Sequence, residues 1–299
     1  MNKEKLKEYF KSLGLDTVGI TGVNVNYELE KKLKERIEKE HITGMEEPIL
    51  ENRINPKNIM KDAKSIIVCA FPYHIDNEKE SNLSRYCRGL DYHIVAKELL
   101  QKVCDYLDEN IEGFEYKIFV DNGPLVDREL AYLSGIGYFG INNNIITDKY
   151  GSYVFIGYII NNYEFSLDKP LDKECMKCGK CAKYCPGNAL LGNYDMNPRK
   201  CLSYITQKKE ELSLEEVKAI KNSGKIFGCD ICQEVCPHNK NIKETHIEEF
   251  MKDLILNLDF EEIDEISNKE FKRRYGNRAF SWRGKKIIKR NIEIILEKS

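Results

Sequence analysis

The spacing of apolar positions predicts the secondary structure of the first 165 residues. Apolar side chains recur at helical spacing in three segments, which are residues 3–13, 92–107 and 125–133. Short apolar runs bounded by turn residues predict strands at residues 17–21, 65–71, 116–120 and 154–160. Strands that alternate with helices are typical of α/β and α+β domains. We therefore expect one such domain over residues 1–165.

The remainder of the chain has a different pattern. Residues 166–245 contain eight of the eleven cysteines and predict a small cysteine-rich domain, in which Ser213-Leu-Glu-Glu216 has the form of a capping box that begins a helix. Residues 246–299 predict a short helical tail, which is strongly basic over residues 269–290. No low-complexity linker separates these parts. The expected fold class is therefore α+β, with the parts packed together.

Composition restricts the class of protein. Hydrophobic residues make up 41% of the chain, enough for a core, and charged residues make up 32%, which is typical of a soluble surface. No apolar run reaches the length of a membrane span, and the first residues begin an amphipathic helix rather than a signal sequence. A cytoplasmic protein with no membrane partner is expected. In that compartment, clustered cysteines are metal ligands more often than disulfides.

The cysteine spacing predicts two iron–sulfur clusters. The run Cys175-Met-Lys-Cys178-Gly-Lys-Cys181-Ala-Lys-Tyr-Cys185-Pro186 is the C-x2-C-x2-C-x3-C-P pattern, whose fourth cysteine binds the other cluster. A looser set of cysteines follows it and ends in Cys236-Pro237. One 4Fe-4S cluster is therefore assigned to Cys175, Cys178, Cys181 and Cys236, and the other to Cys185, Cys201, Cys229 and Cys232. Zinc remains an alternative, although it requires neither the cysteine triplet nor the Cys-Pro ends.

A strongly basic segment lies near the end of the chain. Residues 269–290 contain ten lysines or arginines and one acid, whereas the whole chain has a net charge of -2. Aromatic residues are interleaved with these cations, at Phe271, Tyr275, Phe280 and Trp282. Basic side chains neutralise phosphates, and aromatic rings stack on unpaired bases, so nucleic acid is one interpretation. A solvated helix face is the other. The candidate nucleic-acid contacts are Arg273, Arg274, Arg278, Trp282, Arg283, Lys285 and Lys286.

Three further motifs have weaker interpretations. Gly135-Ile-Gly137-Tyr-Phe-Gly140 matches G-x-G-x-x-G, but a helix precedes it and extended sequence follows. A dinucleotide site is therefore not expected, and the glycines are assigned to tight turns or to close approach of a flat ligand. Asp91-Tyr-His93 resembles the start of a corrinoid-binding D-x-H motif, although a histidine on a helix is more often structural. Asp121 follows a predicted strand, where it is either a site residue or a turn aspartate.

The three remaining cysteines lie outside the cluster motifs. Cys69 and Cys104 fall in apolar segments and are expected in the core. Cys87 lies in Arg85-Tyr-Cys-Arg-Gly, a polar setting that makes it the only one of the three with an expected functional role.

Together these motifs resemble those of the epoxyqueuosine reductase family. The resemblance is carried by the two cysteine runs, by Arg199-Lys-Cys201-Leu-Ser-Tyr-Ile-Thr-Gln207, by Val120-Asp-Asn-Gly-Pro-Leu-Val-Asp-Arg128 and by Phe280-Ser-Trp-Arg-Gly-Lys-Lys286. It implies an N-terminal α/β cobalamin-binding domain packed against a ferredoxin-like domain with two 4Fe-4S clusters. The implied reaction reduces epoxyqueuosine in tRNA to queuosine. An external low-potential electron donor is needed, and a monomer is expected.

The resemblance also implies roles for individual residues. Asp121 is the expected proton donor, and Cys87 is expected near the corrin ring. Cobalamin contacts are expected from Arg53, Cys87, Asp121, Val126, Asp127, Arg128, Ile145, Ile156, Ser203 and Gln207.

The sequence departs from the family pattern in two respects. Many members carry a C-terminal helical-repeat domain that helps to hold the tRNA, whereas this sequence ends at Ser299. It is therefore expected to be a short form, in which residues 269–290 provide more of the tRNA contact. The family also commonly has Gly-Lys-Asn where this chain has Gly140-Ile141-Asn142. The missing cation leaves one polar contact, to cofactor or substrate, in question.

Two other functions remain as alternatives. A reductive-dehalogenase-like corrinoid enzyme that acts on a small molecule would share the cobalamin and the two clusters. The basic aromatic segment and the polar amino terminus favour the tRNA enzyme over it. A ferredoxin-like electron carrier, the second alternative, would not require residues 1–165.

Overall fold

A four-stranded antiparallel sheet forms the centre of the amino-terminal part in this computed structural model, which describes residues 1–76 and 80–297. The strand order is β1 (Val18–Thr21), β2 (Ser65–Pro72), β6 (Val154–Asn161) and β3 (Tyr116–Val120). All three strand pairs are antiparallel, so the sheet is of the α+β kind. Two short hairpins pair β4 (Tyr138–Phe139) with β5 (Ile145–Ile146) and β7 (Leu190–Gly192) with β8 (Asp195–Met196).

Fourteen α-helices lie within the described residues. Those of the amino-terminal part are α1 (Lys3–Ser12), α2 (Tyr27–Glu38), α3 (Leu50–Ile54), α4 (Pro56–Ile59), α5 (Tyr92–Asn110) and α6 (Asp127–Leu133). Those of the cysteine-rich part are α7 (Lys180–Lys183), α8 (Leu202–Ile205), α9 (Leu214–Ser223) and α10 (Ile231–Glu234). The last are α11 (Glu248–Met251), α12 (Phe260–Glu265), α13 (Asn268–Tyr275) and α14 (Lys285–Leu296). Single 3-10 turns occur at Arg85–Cys87, Pro198–Lys200, Pro237–Asn239 and Ala279–Ser281.

Most predicted elements are confirmed because their local signals are strong. The side chain of Asn2 caps α1, and Asp91 caps the longest helix, α5. Ser213 and Glu216 form both hydrogen bonds of the predicted capping box at the start of α9. Among the helices in the described part of the chain, none is long and apolar enough to cross a membrane.

The sheet separates two hydrophobic clusters. All eight residues of β2 are buried, and alternate residues of a strand face opposite sides of the sheet. Ile67 and Phe71 pack in the cluster that includes side chains of α1 and α5. Ile66 and Val68 pack in the second cluster, which includes side chains of α6. The central strand is therefore fixed in register by burial on both faces.

The carboxyl-terminal segment joins the core of the amino-terminal part. Ile263, Phe271, Phe280 and Ile288 belong to the same hydrophobic cluster as α1 and α5. A second link is polar: the fully buried Asn291 donates from Nδ2 to the carbonyl oxygens of Thr206 and Ile226, at 2.7 and 2.8 Å. Residues 246–297 thus link the sheet domain, which contains the four-stranded sheet and α1 to α6, to the cysteine-rich domain, which contains α7 to α10.

We expect Asn291→Ala to destabilise the protein by about 2 kcal/mol or more. The substitution leaves the two buried carbonyl groups of Thr206 and Ile226 without a partner, and each unpaired group costs about 1–3 kcal/mol. Thermal unfolding of the reconstituted protein measures the effect. Glu293→Ala, at an exposed position of the same helix, is the matched control. Equal unfolding midpoints for the two variants would contradict this account of the link.

Candidate functional site

A cavity of about 1340 Å³ lies where the sheet domain, the cysteine-rich domain and the carboxyl-terminal segment meet. This volume exceeds the roughly 300–1,000 Å³ of most small-molecule sites, so the cavity suits a large cofactor or a cofactor with its substrate. Nine of the ten predicted cofactor contacts line it: Arg53, Asp121, Val126, Asp127, Arg128, Ile145, Ile156, Ser203 and Gln207.

Cys87, the tenth predicted contact, is not among the residues that line the cavity. Its side chain is fully buried in the hydrophobic cluster of α5, and its thiol donates a hydrogen bond to the carbonyl oxygen of Ser84. Burial raises the pKa of the Cys87 thiol well above its usual range. The polar setting inferred from the sequence was therefore wrong, because neighbouring Tyr86 faces the cavity while Cys87 faces the core.

The eight motif cysteines form two groups in space. The pKa of Cys181 is raised first by burial and then by the nearby sulfurs of Cys236, Cys175 and Cys178. In the second group, burial raises the pKa of Cys232, and the sulfurs of Cys201, Cys229 and Cys185 add to the effect. Each group thus takes its fourth cysteine from the other motif.

The two cysteine groups differ in where they lie. All four cysteines of the second group line the cavity: Cys185, Cys201, Cys229 and Cys232. None of the first group does. Cys175, Cys181 and Cys236 are buried, and Cys178 is exposed at the surface. Within residues 1–76 and 80–297, no three His, Cys, Asp or Glu side chains are grouped as ligands of one metal ion. A 4Fe-4S cluster binds each cysteine at a different iron, so it suits four sulfurs that are near one another but not around one point.

Ile141, where the family commonly has lysine, does not line the cavity. Its side chain is 9% exposed and packs with Cys175 and Cys181, with Leu190 and Cys232 at the edge of the same cluster. The position therefore belongs to the surroundings of the two cysteine groups.

Asp121 lies in the loop that follows β3, at the edge of the cavity. Its backbone has a φ of +57°, and the turn is closed by a hydrogen bond from Asn122 N–H to the carbonyl oxygen of Val120 at 2.6 Å. A side chain at Gly123 would collide with the hydroxyl group of Tyr158, so the loop packs closely against β6. A non-glycine residue in this region of φ is strained, which is common where a side chain must be aimed at a ligand.

Two side chains flank the Asp121 carboxylate. The hydroxyl group of Tyr92 donates to Oδ2 at 2.5 Å, and His93 Nε2 lies 3.5 Å from the same oxygen. The other ring nitrogen of His93 is 2.8 Å from Asp91 Oδ1. Tyr92 and His93 come from the first turn of α5, so one helix end supplies both groups.

The pKa values of this cluster indicate a charged pair. Burial would lower the pKa of His93, but the hydrogen bonds to Asp121 and Asp91 outweigh it and raise the pKa to about 9. Burial would raise the pKa of Asp121, but the hydrogen bonds from His93 and Tyr92 outweigh it and lower the pKa below its usual range. At neutral pH the proton of this pair therefore resides on the imidazole ring.

A second carboxyl group lies in the same cavity. Burial raises the pKa of Asp127 well above its usual range, the charge of Asp121 raises it further, and its Oδ1 has no hydrogen-bond partner among the described residues. Arg128 is anchored beside it by a hydrogen bond from Nη1 to the carbonyl oxygen of Asn143 at 2.6 Å. The two aspartates thus have opposite protonation preferences, as acid and base pairs in enzyme sites often do.

The glycine motif has a structural role. Helix α6 precedes Gly135, and β4 follows Gly137, so the order is the reverse of a dinucleotide site. A side chain at Gly135 would collide with the carbonyl group of Lys169, and one at Gly137 would collide with Ile145. The prediction of a tight turn is confirmed, and the close contacts are with the protein itself.

Fewer side chains of the basic segment are available to bind nucleic acid than its sequence implies. Phe271, Tyr275 and Phe280 are buried, so they cannot stack on bases. Arg278 is also buried, and its expected role as a tRNA contact does not fit that position.

Several of the other cations in this segment bind protein groups. Arg273 and Arg274 both pair with Glu270, each at 2.7 Å. Lys285 donates to the carbonyl oxygens of Asp264 and Ile266 in the stretch where α12 ends. Such contacts match the alternative interpretation of the charge run, a solvated and internally paired helix surface.

Trp282 and Arg283 lie against each other at the cavity. The Trp282 side chain is 55% exposed, and its indole N–H donates to Gln207 Oε1 at 2.8 Å. The Arg283 guanidinium lies 3.7 Å above the indole ring. Both residues line the cavity, and Lys286 is exposed close by in the sequence. These three residues are the best placed of the predicted tRNA contacts.

The contacts of Tyr92 and His93 with Asp121, and of Asp91 with His93, were not predicted from the sequence. The D-x-H signal was visible, but it was interpreted as a corrinoid ligand or a structural histidine. The contact with Asp121 depends on how α5 packs against β3 and β6, which no local pattern encodes.

Comparison with known proteins identifies relatives of this chain. Residues 53–122 match the family described as "Epoxyqueuosine reductase QueG, DUF1730", and residues 174–239 match "4Fe-4S double cluster binding domain". The chain therefore contains an iron–sulfur cluster-binding domain. A curated epoxyqueuosine reductase of Bacillus cereus is 38% identical over 99% of this chain and 81% of its own length.

Solved structures agree with these relatives. An epoxyqueuosine reductase with an epoxyqueuosine-modified tRNA-Tyr stem loop superposes with a TM-score of 0.89 at 36% identity, over 98% of this chain and 80% of that one. The Bacillus subtilis enzyme, described with an aspartate catalytic loop swung out of its active site, gives 0.89 at 35% identity over the same shares of the two chains. A reductive dehalogenase gives 0.53 at 14% identity, over 83% of this chain and 34% of its own, and so shares the fold alone.

We expect Asp121→Asn to lower the pKa of His93 from about 9 toward the ordinary value, because it removes one carboxylate that stabilises the imidazolium. Since the folded-state pKa is raised, the stabilisation is complete below about pH 6.5 and is lost as the pH rises through about 9. NMR titration of histidine-labelled protein measures the midpoint, with the other histidines as internal controls. An unchanged His93 midpoint would show that the two side chains are not coupled.

Proposed function

The chain belongs to the epoxyqueuosine reductase family, and from that premise we propose that it reduces the epoxide of epoxyqueuosine in tRNA to the alkene of queuosine. The observation that carries the proposal is one cavity lined both by Asp121 and by the second cysteine group. The cysteines that would hold an electron-donating cluster and the carboxyl group that would deliver a proton thus line the same cavity. A simple electron carrier would have no use for such a cavity.

The proposed cofactors are two 4Fe-4S clusters and cobalamin. The two groups of four cysteines fit two clusters, each with one cysteine taken from the other motif. The cavity volume fits cobalamin, and Asp127 Oδ1 provides a buried polar atom without a protein partner. Cobalamin, when bound, supplies a strong electron donor or nucleophile at cobalt.

The residues that would hold cobalamin come from several elements that line the cavity. Apolar contact would come from Val126 at the N-cap of α6, Ile145 of β5 and Ile156 of β6. Polar contact would come from Arg53, Asp127, Arg128, Ser203 and Gln207. A rigid set of apolar walls with a few polar groups is what orients a large cofactor.

Asp121 is the proposed proton donor. Removal of the epoxide oxygen as water consumes two electrons and two protons, so one carboxyl group alone is insufficient. His93 holds a proton 3.5 Å from Asp121 Oδ2, and Tyr92 donates to the same oxygen. We propose that His93 passes its proton to Asp121, which delivers it to the departing oxygen, and that His93 takes up a proton from solvent before the second transfer. Burial and the charge of Asp121 raise the pKa of Tyr92 well above its usual range, so Tyr92 orients the carboxylate rather than supplying a proton.

The tRNA would approach the cavity over Trp282 and Arg283. An exposed indole and a guanidinium can stack on unpaired bases, and the anticodon loop provides such bases. Lys286 would neutralise a nearby phosphate. The reductant for the clusters would be an external low-potential electron donor.

Asp121→Ala should retain both clusters and cobalamin but lose nearly all turnover, because it removes the group that protonates the oxygen. The assay is mass spectrometry of nucleosides after anaerobic incubation of the reconstituted, cobalamin-loaded protein with epoxyqueuosine-tRNA and a strong reductant. Asp62→Ala, at an exposed position of the sheet domain, is the control. Normal conversion by Asp121→Ala would overturn the assigned role. No conversion by the wild-type protein with all cofactors verified would overturn the proposed function.

Cysteine variants test which sulfurs bind which cluster. If the fourth ligands are exchanged, Cys185→Ser damages the same cluster as Cys229→Ser, and Cys236→Ser damages the same cluster as Cys178→Ser. Each variant should lose about half of its iron. EPR spectra of the reduced proteins should therefore fall into these two pairs. A Cys185→Ser spectrum that matches Cys178→Ser instead would contradict the exchange.

A further inference from the structure

The two cysteine groups define a direction for electrons. The second group lines the cavity, whereas the first does not, and Cys178 of the first group is exposed. An electron from outside therefore reaches the first cluster before the second. We propose that the surface around Cys178 is the docking site of an acidic, low-potential, one-electron carrier protein. This inference rests on the two clusters of the proposed function.

Positive charge is concentrated in the segments that contain the first cysteine group. Residues 173–183 and 236–243, which include all four cysteines of the first group, contain six lysines and one acid, Glu174. The chain as a whole has a net charge of -2, so the excess is local. Lys173, Lys177, Lys180, Lys183, Lys240 and Lys243 are all exposed.

Most of these lysines are free to bind a partner. Lys173 pairs with Asp148 at 2.7 Å and Lys177 with Glu174 at 2.6 Å, in contacts that are largely exposed and weak. Lys180 and Lys183 have no carboxylate within 4.0 Å in the described part of the chain. The ammonium group of Lys183 lies 5.7 Å from the ring centre of Tyr184. A surface with unpaired cations attracts an acidic partner and accelerates encounter.

Exposed apolar side chains lie beside Cys178 in the sequence. Met176 is 56% exposed and Tyr184 is 54% exposed, on either side of the exposed cysteine. Weak electron-transfer complexes have small interfaces, and interfaces in general have an apolar centre with a polar rim. Two apolar groups with lysines around them match that arrangement.

A protein partner is favoured over RNA here. The cations of the two segments are all lysines, whereas planar guanidinium groups are preferred for contacts with phosphates and bases. Arginines are found instead near Trp282 at the cavity. Each encounter would transfer one electron from the reduced carrier to the oxidised first cluster, with no proton or atom exchanged.

The test is stopped-flow reduction of the cluster-loaded protein by a reduced acidic plant-type ferredoxin. For Lys180→Glu/Lys183→Glu, the second-order rate constant at low salt should fall about tenfold or more. Added salt should slow the wild-type protein and have little effect on the variant. Lys240→Glu/Lys243→Glu should behave in the same way, and this pair lies on a different segment. Lys97→Glu/Lys102→Glu, on the exposed side of α5, is the matched control.

Two measurements separate the possible failures. Iron content and absorption spectra establish that every variant carries its clusters. If the wild-type protein itself lacks the clusters, the proposed function is wrong, and not only the docking site. Reduction by the methyl viologen radical, a small cation, should be no slower in the lysine variants than in the wild type. Unchanged, salt-insensitive rates with the ferredoxin would overturn the proposal. So would a loss of tRNA affinity with unchanged ferredoxin rates, which would make this surface an RNA contact.

Discussion

The exchange of one cysteine between the two groups is the constraint on which the rest of the structure depends. Cys185 belongs to the first motif in the sequence but lies in the second group in space. Cys236 belongs to the second motif but lies in the first group. The two motifs must therefore lie side by side, although α9 and the segments around it separate them in the sequence. Once they do, the second group lines the cavity, and the first group has one cysteine, Cys178, exposed to solvent. The proposed direction of electron flow follows from this pairing.

Electrostatics then gives the two aspartates of the cavity different protonation preferences. Asp121 and Asp127 are six residues apart in the sequence, yet the environment lowers the pKa of the first and raises that of the second. The difference has a structural origin. Asp121 accepts a hydrogen bond from Tyr92 and lies 3.5 Å from His93 Nε2, while Asp127 Oδ1 is buried without an equivalent donor. One cavity thus holds a carboxylate that can take up a proton from the adjacent imidazolium and, separately, a neutral carboxyl group.

The sequence predicted those features that depend on local spacing. Strand β2 was recognisable because it is buried on both faces and therefore uniformly apolar. The cysteine groups followed from the motif, and the start of α9 followed from Ser213 and Glu216. Tertiary packing decided the rest. Phe271 and Phe280 looked like surface aromatics among cations, but the carboxyl-terminal helices turn them into the core shared with α5.

The same distinction explains the site residues that were misjudged. Cys87 and Tyr86 are adjacent, and only the 3-10 turn at Arg85–Cys87 determines which one faces the cavity. Ile141 was expected to replace a cation near the cofactor or the substrate. Its side chain instead packs against Cys175 and Cys181, with Cys232 of the other group beside them. The absence of a lysine at this position therefore changes the surroundings of the cysteine groups rather than a contact in the cavity. An apolar neighbour compensates negative charge on thiolates less than a nearby cation would, so the departure from the family pattern makes this region less favourable for negative charge.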